Sequence, residues 1–413
     1  MSKEIKIGIF GCSRGMNYAD LMAKDDAFEI VAFCDKNEER LARATGNYPG
    51  IPGFATFDEF MAYGKEHGMN AVFLANYFHE HAPYAIKVME AGMAALSECL
   101  PAATLKQCCE LVRATERLNG KYMFCENYPF MTGNIELTRL CHEGSLGTVM
   151  YLEGEYNHHD GPHALYGRSK GKYHWRNWEP RCYYLSHSLA PLMMMVDGMP
   201  RYVSAQAAVS EVQKEKFPFR AITDGMAQML CKFDNGSVAR FSGCNGIASG
   251  YSGYRAFGDK GSAEWGRHTD RKIRLYYSSW NNPEGTTELE YYEPTKSVCA
   301  YDPRVAAGLS AGHGGSDYIV VQNIKEFLID GKEPYFNVYR AAAIAATAAL
   351  SLKSCMNNGE MFKIPDFHSE EEMKEVENDD LTPFYDDEGH GGTYKPSLEY
   401  TPERFAQVGV YEE

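Results

Sequence analysis

The chain has 413 residues, 44% of them hydrophobic, which is material for two or three domain cores. A formal net charge of -15 argues against a nucleic-acid partner, because binding to phosphate backbones needs a basic surface. It leaves room for an anionic cofactor held by a few local donors. The 12 cysteines contain no Cys-x-x-Cys pair, so neither a zinc ribbon nor a thioredoxin-like motif is visible, and several that fall inside apolar runs read as reduced core residues. Met1-Ser2-Lys3-Glu4 leads straight into an apolar strand, and no run reaches membrane-spanning length. A cytoplasmic protein without a membrane partner is expected.

Residues 5–11 (IKIGIFG) read as a buried strand, followed by a helix from about Asn17 to Lys24. Residues 29–34 form a second strand ending at Asp35, and 37–45 a second helix. Strands at 70–76, 93–98 and 121–126 alternate with helices at 80–91 and from Thr104 to Leu118. Strands alternating with helices over short connections imply a doubly wound parallel sheet. The character changes near residue 128. A helix at 132–143 is stopped by Gly144-Ser145-Leu146-Gly147, and strands then dominate at 148–156, 202–211, 226–233, 237–243, 272–277 and 287–292. Asp234-Asn235-Gly236 reads as a hairpin turn, so antiparallel pairing is expected. Helices follow at about 316–330 and 338–356. The organisation is a Rossmann domain at 1–127, a substrate domain on a mostly antiparallel open sheet at 128–368, and an acidic tail at 369–413.

Gly8-Ile9-Phe10-Gly11-Cys12-Ser13-Arg14-Gly15 joins the first strand to the first helix. Such a turn lets backbone N–H groups approach a pyrophosphate at a helix N-terminus. Ser13 stands where a second glycine is usual. Asp35 ends the next strand, 20 residues after Gly15, where a carboxylate accepts the ribose hydroxyls of adenosine and repels a 2′-phosphate. NAD is the expected cofactor, through Gly11, Ser13, Arg14, Gly15 and Asp35.

Here the sequence resembles the Gfo/Idh/MocA oxidoreductases over roughly residues 4–366. Asn76-Tyr77-Phe78-His79-Glu80-His81 is similar to that family's loop beside the nicotinamide ribose. Ser97-Glu98-Cys99-Leu100-Pro101 falls where the family carries Glu-Lys-Pro. The resemblance implies cofactor contacts from Asn76, His81 and Glu98. Cys99 replaces the family's catalytic lysine, and Tyr183 stands where an aspartate precedes the catalytic histidine by four positions.

Further segments resemble the NAD-dependent alpha-N-acetylgalactosaminidase branch of the same superfamily, which also lacks the lysine. They are Glu126-Asn127, Glu155-Tyr156, Trp175-Arg176, Tyr184-Leu185-Ser186-His187, Gly312-His313-Gly314-Gly315-Ser316-Asp317, Asn337-Val338-Tyr339 and Ile364-Pro365-Asp366-Phe367. The resemblance implies that Glu126, Tyr156, Arg176, Tyr184 and His187 line a sugar pocket, with Tyr301 a weaker candidate and Asn127 a cofactor contact. Hydride leaves a secondary carbinol only as its hydroxyl loses a proton, which requires a base and donors within hydrogen-bond reach. His187 and Tyr184, three residues apart, suit that work if they share a helical face. Arg176 is placed to clamp a sugar oxygen. Glu126 reads equally as a brace for its strand end, and His313 as a substrate contact or a turn residue. His158, His159, Asp160 and His163 match no helical metal pair. They read as a polar loop over the pocket with His159 as a substrate contact, and no metal is expected. Met193-Met194-Met195 reads as helix core.

Three functions follow from these readings. The favoured one oxidises a glycoside at C3 on the way to redox-neutral hydrolysis. The second is a dehydrogenase releasing a 3-keto sugar, and the third a non-catalytic NAD sensor. A homodimer or homotetramer acting on a small sugar is expected.

Overall fold

The computed structural model describes residues 4–159, 173–216, 224–244, 250–267, 270–280, 282–386 and 388–392. The chain divides into two compact units. The first takes in Met1–Asn127, Arg304–Ala342 and Phe367–Asn378. The second takes in Tyr128–Pro303, Ala343–Asp366 and the remainder of the C-terminal segment.

The first unit is built on six parallel strands: β1 (Ile5–Phe10), β2 (Phe28–Cys34), β3 (Gly53–Phe54), β4 (Ala71–Leu74), β5 (Ala94–Ser97) and β6 (Tyr122–Phe124). Their order, β3-β2-β1-β4-β5-β6, is that of a dinucleotide-binding Rossmann sheet. The helices are α1 (Gly15–Met22), α2 (Glu38–Asn47), α3 (Phe57–Glu66), α4 (His81–Glu90) and α5 (Leu105–Leu118). Asn37, Thr56 and Thr104 cap α2, α3 and α5 by accepting from backbone N–H groups that helix ends leave unpaired. β3 and α3 were not anticipated from the sequence. The acidic stretch after residue 368 starts with a Ser369-capped helix, Glu370–Val376, whose Met373 is buried and whose Glu370 pairs with Arg113.

The second unit carries nine strands: β7 (Val149–Asn157), β8 (Pro200–Val209), β9 (Asp224–Phe233), β10 (Val238–Cys244), β11 (Tyr251–Gly258), β12 (Gly261–Trp265), β13 (Ile273–Tyr277), β14 (Leu289–Tyr292) and β15 (Phe362–Lys363). Their order is β14-β13-β12-β11-β7-β10-β9-β8-β15. The β9–β10 hairpin turns at Asp234-Asn235-Gly236, as the sequence indicates. The sheet is mostly antiparallel, as expected, with one parallel pair, β10 and β7. The strand after β7 is β8, and the β8–β9–β10 meander returns β10 to β7 in the same direction. The sequence reading also missed β11 and β12.

One sheet face packs on the helix Ser186–Val196, whose Leu189, Leu192, Met193 and Met195 are buried, while Met194 is half-buried. The opposite face is charged. Arg240, Glu153, Arg255, Glu264 and Arg274 are register partners on five adjacent strands, alternating in sign across the sheet, and each neighbouring pair is bridged.

Candidate active site

In the first unit the Gly11–Gly15 turn sits at the carboxyl end of β1. Gly11 has φ +103°, and a Cβ there would lie 2.2 Å from the Ala75 carbonyl oxygen, so only glycine lets the turn cross the end of β4 so closely. Gly15 opens α1 with Ile9 packed where its Cβ would be. Asp35 is 7% exposed and accepts from the Cys12 N–H at 2.7 Å and the Asn37 N–H at 2.8 Å, which fixes its carboxylate beside the turn. Lys36 reaches over the Tyr77 ring at 3.9 Å. Ser13 is exposed at the turn's tip. In the loop after β4, Asn76 donates to Glu80, while its buried side-chain oxygen accepts from no protein group. These features fit NAD: a cradle with no space for side chains, an anchored carboxylate and an orphaned amide oxygen. Gly11, Ser13, Gly15, Asp35 and Asn76 are the residues that would hold it.

The remaining dinucleotide candidates are engaged with protein. His81 is 1% exposed, and its Nδ1 is 2.8 Å from the Leu100 carbonyl oxygen. Burial depresses its pKa, so the ring is neutral. Arg14 donates from Nε to Glu98 at 2.8 Å and through both terminal nitrogens to Asp317 at 2.9 and 2.7 Å. Asn127 donates to the same Asp317 carboxylate at 2.8 Å, and His313 Nδ1 lies 2.9 Å from it. Burial alone would raise the Asp317 pKa, but hydrogen bonds from His313 and Arg14 outweigh it and hold the carboxyl well below the usual range. His313, read from sequence as a substrate contact or a turn residue, lies in a polar hub of the first unit. Glu126, also in this unit, is fully buried and accepts from the Cys99 thiol at 3.0 Å.

The second unit assembles Tyr156, Tyr184 and His187. Two glycines make this possible. A Cβ on Gly154 of β7 would lie 2.2 Å from the Ser188 carbonyl oxygen, and one on Gly243 of β10 the same distance from that of Arg181. The helix Ser186–Val196 and the turn Arg181–Tyr183 therefore lie directly on the sheet. Arg181 is anchored, its N–H to Asp224 at 2.7 Å and its guanidinium to Glu179 at 3.1 Å. Tyr254 donates to the His187 carbonyl at 2.7 Å.

The result is a ring cluster. Tyr156 stacks on Tyr184 with centroids 5.1 Å apart and meets His187 edge-on at 4.8 Å. His187 stacks on Tyr128 at 4.1 Å. Burial, then the neighbouring tyrosines, push the Tyr156 phenol well above its ordinary pKa, so it stays protonated and acts as a donor. Arg176 lies on a one-turn helix, Trp175–Trp178, with its guanidinium 4.2 Å over Trp175. His159 is exposed just past β7, and Tyr301 is 50% exposed at the end of the helix Thr295–Tyr301. Asp160 and His163 lie outside the described residues. Phe384 and Tyr385 of the expected tail pack on Tyr183 and Trp178.

Sequence reasoning missed Tyr128, Tyr254 and Asp317. Tyr128 follows Asn127 directly, in a turn whose carbonyl is held by buried Asn134, and its aromatic character was the one available signal. Asp317 lay inside a quoted segment, but nothing local marks it as a hub.

The fold and the cradle define an NAD-binding Rossmann oxidoreductase. Residues 5–125 match the model of the oxidoreductase family with an NAD-binding Rossmann fold, Gfo/Idh/MocA, and residues 284–374 match the glycosyl hydrolase 109 C-terminal domain. A glycosyl hydrolase family 109 protein from Stenotrophomonas maltophilia is 22% identical, covering 88% of this chain and 89% of its own. One from Streptomyces filamentosus is 26% identical over 88% and 77%. Among solved structures, an oxidoreductase from Agrobacterium radiobacter in complex with NAD+, L-tartaric acid and magnesium superposes with a TM-score of 0.69 at 13% identity, covering 87% of this chain and 98% of that one. The chain unites a Gfo/Idh/MocA NAD-binding domain with a glycosyl hydrolase 109 C-terminal domain, and is an NAD-dependent enzyme acting on sugars. Among the described residues, no helix is long and apolar enough to cross a membrane.

Proposed function

We propose that the enzyme oxidises the C3 carbinol of a glycoside as the first step of a redox-neutral hydrolysis. The observation that carries this reading is the Tyr128, Tyr156, Tyr184 and His187 cluster, in a chain with Cys99 in place of the expected lysine. NAD, when bound, supplies the hydride acceptor at the start of the cycle and the donor at its end. The protein's groups handle the protons. His187 takes the proton of the C3 hydroxyl, and the Tyr156 and Tyr184 hydroxyls donate to the oxygen as charge builds there. Arg176 binds a further sugar oxygen. The C3 ketone acidifies the C2 proton, which Glu126 accepts as the bond from C1 to the aglycone breaks. The aglycone departs with the proton that Glu126 took, water then adds its hydroxyl to C1 and its proton to C2, and His187 returns its proton as C3 is reduced.

The test is an aryl glycoside with catalytic NAD in deuterated water. Many aglycones per NAD, no accumulation of reduced cofactor and deuterium at C2 of the released sugar are expected. A 3-keto glycoside that accumulates with its aglycone attached would establish the dehydrogenase instead. NAD binding without turnover of any sugar would leave a sensor. The same proposal places the enzyme in a reducing, cytoplasmic compartment, which its 12 free cysteines favour and which fractionation would check.

A further inference from the structure

Asp317 belongs to none of the groups assigned to cofactor or sugar above, yet it closes a continuous polar ring in the first unit. Its carboxylate takes both terminal nitrogens of Arg14, at 2.7 and 2.9 Å. Arg14 Nε donates to Glu98 Oε1 at 2.8 Å, and Glu98 Oε2 accepts from the Cys99 N–H at 2.8 Å. The Cys99 thiol donates to Glu126 at 3.0 Å. The peptide bond leads from Glu126 to Asn127, whose amide donates back to Asp317 at 2.8 Å. Asp317, Glu126 and Asn127 are buried, which shields the bonds they make from water, while the Arg14–Glu98 and Glu98–Cys99 bonds are part-buried.

Two consequences follow. The charge of Arg14 is shared between two carboxylates, so the turn must meet an anion chiefly with backbone N–H groups. Arg14 also sits between Gly11 and Gly15, which puts the dinucleotide turn and Glu126 on one circuit.

We propose that Asp317 is a positioning residue for the reaction. Through Arg14, Glu98 and Cys99 on one side and Asn127 on the other, it fixes the carboxylate of Glu126. In this arrangement Cys99, in the expected lysine's place, serves as a hydrogen-bond donor that orients Glu126. The inference rests on the proposed role of Glu126 in accepting the C2 proton.

The test is a double-mutant cycle on kcat with the full chain, NAD and an aryl glycoside. Asp317→Asn and Cys99→Ala each break the ring at a different bond. Because they act on one circuit, the product of the single losses should exceed the loss in the double variant by about 2- to 100-fold, the range measured for groups sharing a network. Cys99→Ser keeps a donor and should restore most of the turnover, with thermal stability recorded alongside to separate orientation from folding. Losses that multiply without surplus, or a serine variant as impaired as the alanine one, overturn the proposal. Should Asp317→Asn not fold, Asn127→Ala takes its place in the cycle, since it opens the same ring. Glu126→Gln separates the two ideas: normal turnover in that variant removes the role of Glu126 itself, whereas an inactive Glu126→Gln with an additive cycle removes only the ring.

Discussion

Gly243→Ala tests whether the geometry of the ring cluster sets the rate. Gly243 lies in β10 opposite Tyr156 of β7. An added Cβ would lie 2.2 Å from the Arg181 carbonyl oxygen and 3.2 Å from that of Tyr184, where ordinary contact begins at 3.4 Å. The difference, 3.4 − 2.2, requires a displacement of about 1.2 Å at the first contact. Both carbonyl oxygens are backbone atoms, so no side-chain rotation relieves it. Asp224 and Glu179 hold Arg181, and Cys182 and Tyr183 are buried, so the shift is passed along the turn to Tyr184 and the start of the His187 helix. A misplacement of about 1 Å costs about 100-fold in rate when reacting groups are preorganised, and overpacking of this kind costs about 1–3 kcal/mol of stability. Aglycone release should fall by that factor while the NAD dissociation constant, read by fluorescence titration, stays near the parent value, because the cradle lies in the first unit. Near-parental kcat in a folded Gly243→Ala enzyme would refute the argument and detach the chemistry from Tyr184 and His187.

Two further outcomes follow from the first unit. Asp35→Ala should weaken NAD by about 10- to 100-fold, as for losing a hydrogen bond to a charged group, and narrow the preference over NADP; an unchanged ratio when both cofactors are titrated would remove Asp35 from that role. His81→Asn probes pH. Burial depresses the His81 pKa below the ordinary histidine value of 6.5, so the unfolded chain binds a proton that the native state refuses. Its contribution is full above pH 6.5 and is lost as pH falls toward the folded value, so the asparagine variant should show a flatter acid limb of stability against pH. Coincident limbs in denaturant titrations would contradict it.

The Rossmann half was legible because its signals are local. Apolar runs of strand length, capping residues and a glycine turn all lie within a few positions of what they determine. Even α3 carried such a signal, the Thr56-x-x-Glu59 spacing beside Phe57 and Phe60: the Thr56 hydroxyl accepts from the Glu59 N–H and donates to its carboxylate. β11 and β12 were harder, since neither buries strictly alternate residues and glycines within and beside them obscure the period. The parallel β7–β10 pair was not legible, because direction follows from the path of the intervening chain. The same holds for the ring cluster. His187 and Tyr184 stand out as chemical types, but Tyr128 joins them only because Gly154 and Gly243 let a helix and a turn approach the sheet.

Arg14 shows most plainly what one-dimensional reading loses. An arginine inside a glycine turn reads as a phosphate ligand, because the sequence displays its charge and nothing nearby cancels it. The cancelling groups are Glu98, 84 positions on, and Asp317, 303 positions on. Once both are in place, the turn has spent its cation on the protein. Anion affinity at the turn then depends on the backbone dipoles of α1 and on Gly11, which allows the close approach. That is also why Ser13 in a glycine's usual place is tolerated: it is exposed, outside the crossing that Gly11 makes with Ala75, and its backbone N–H remains available whatever its side chain. The motif's departure from the common spacing thus falls at a position where the fold requires no glycine.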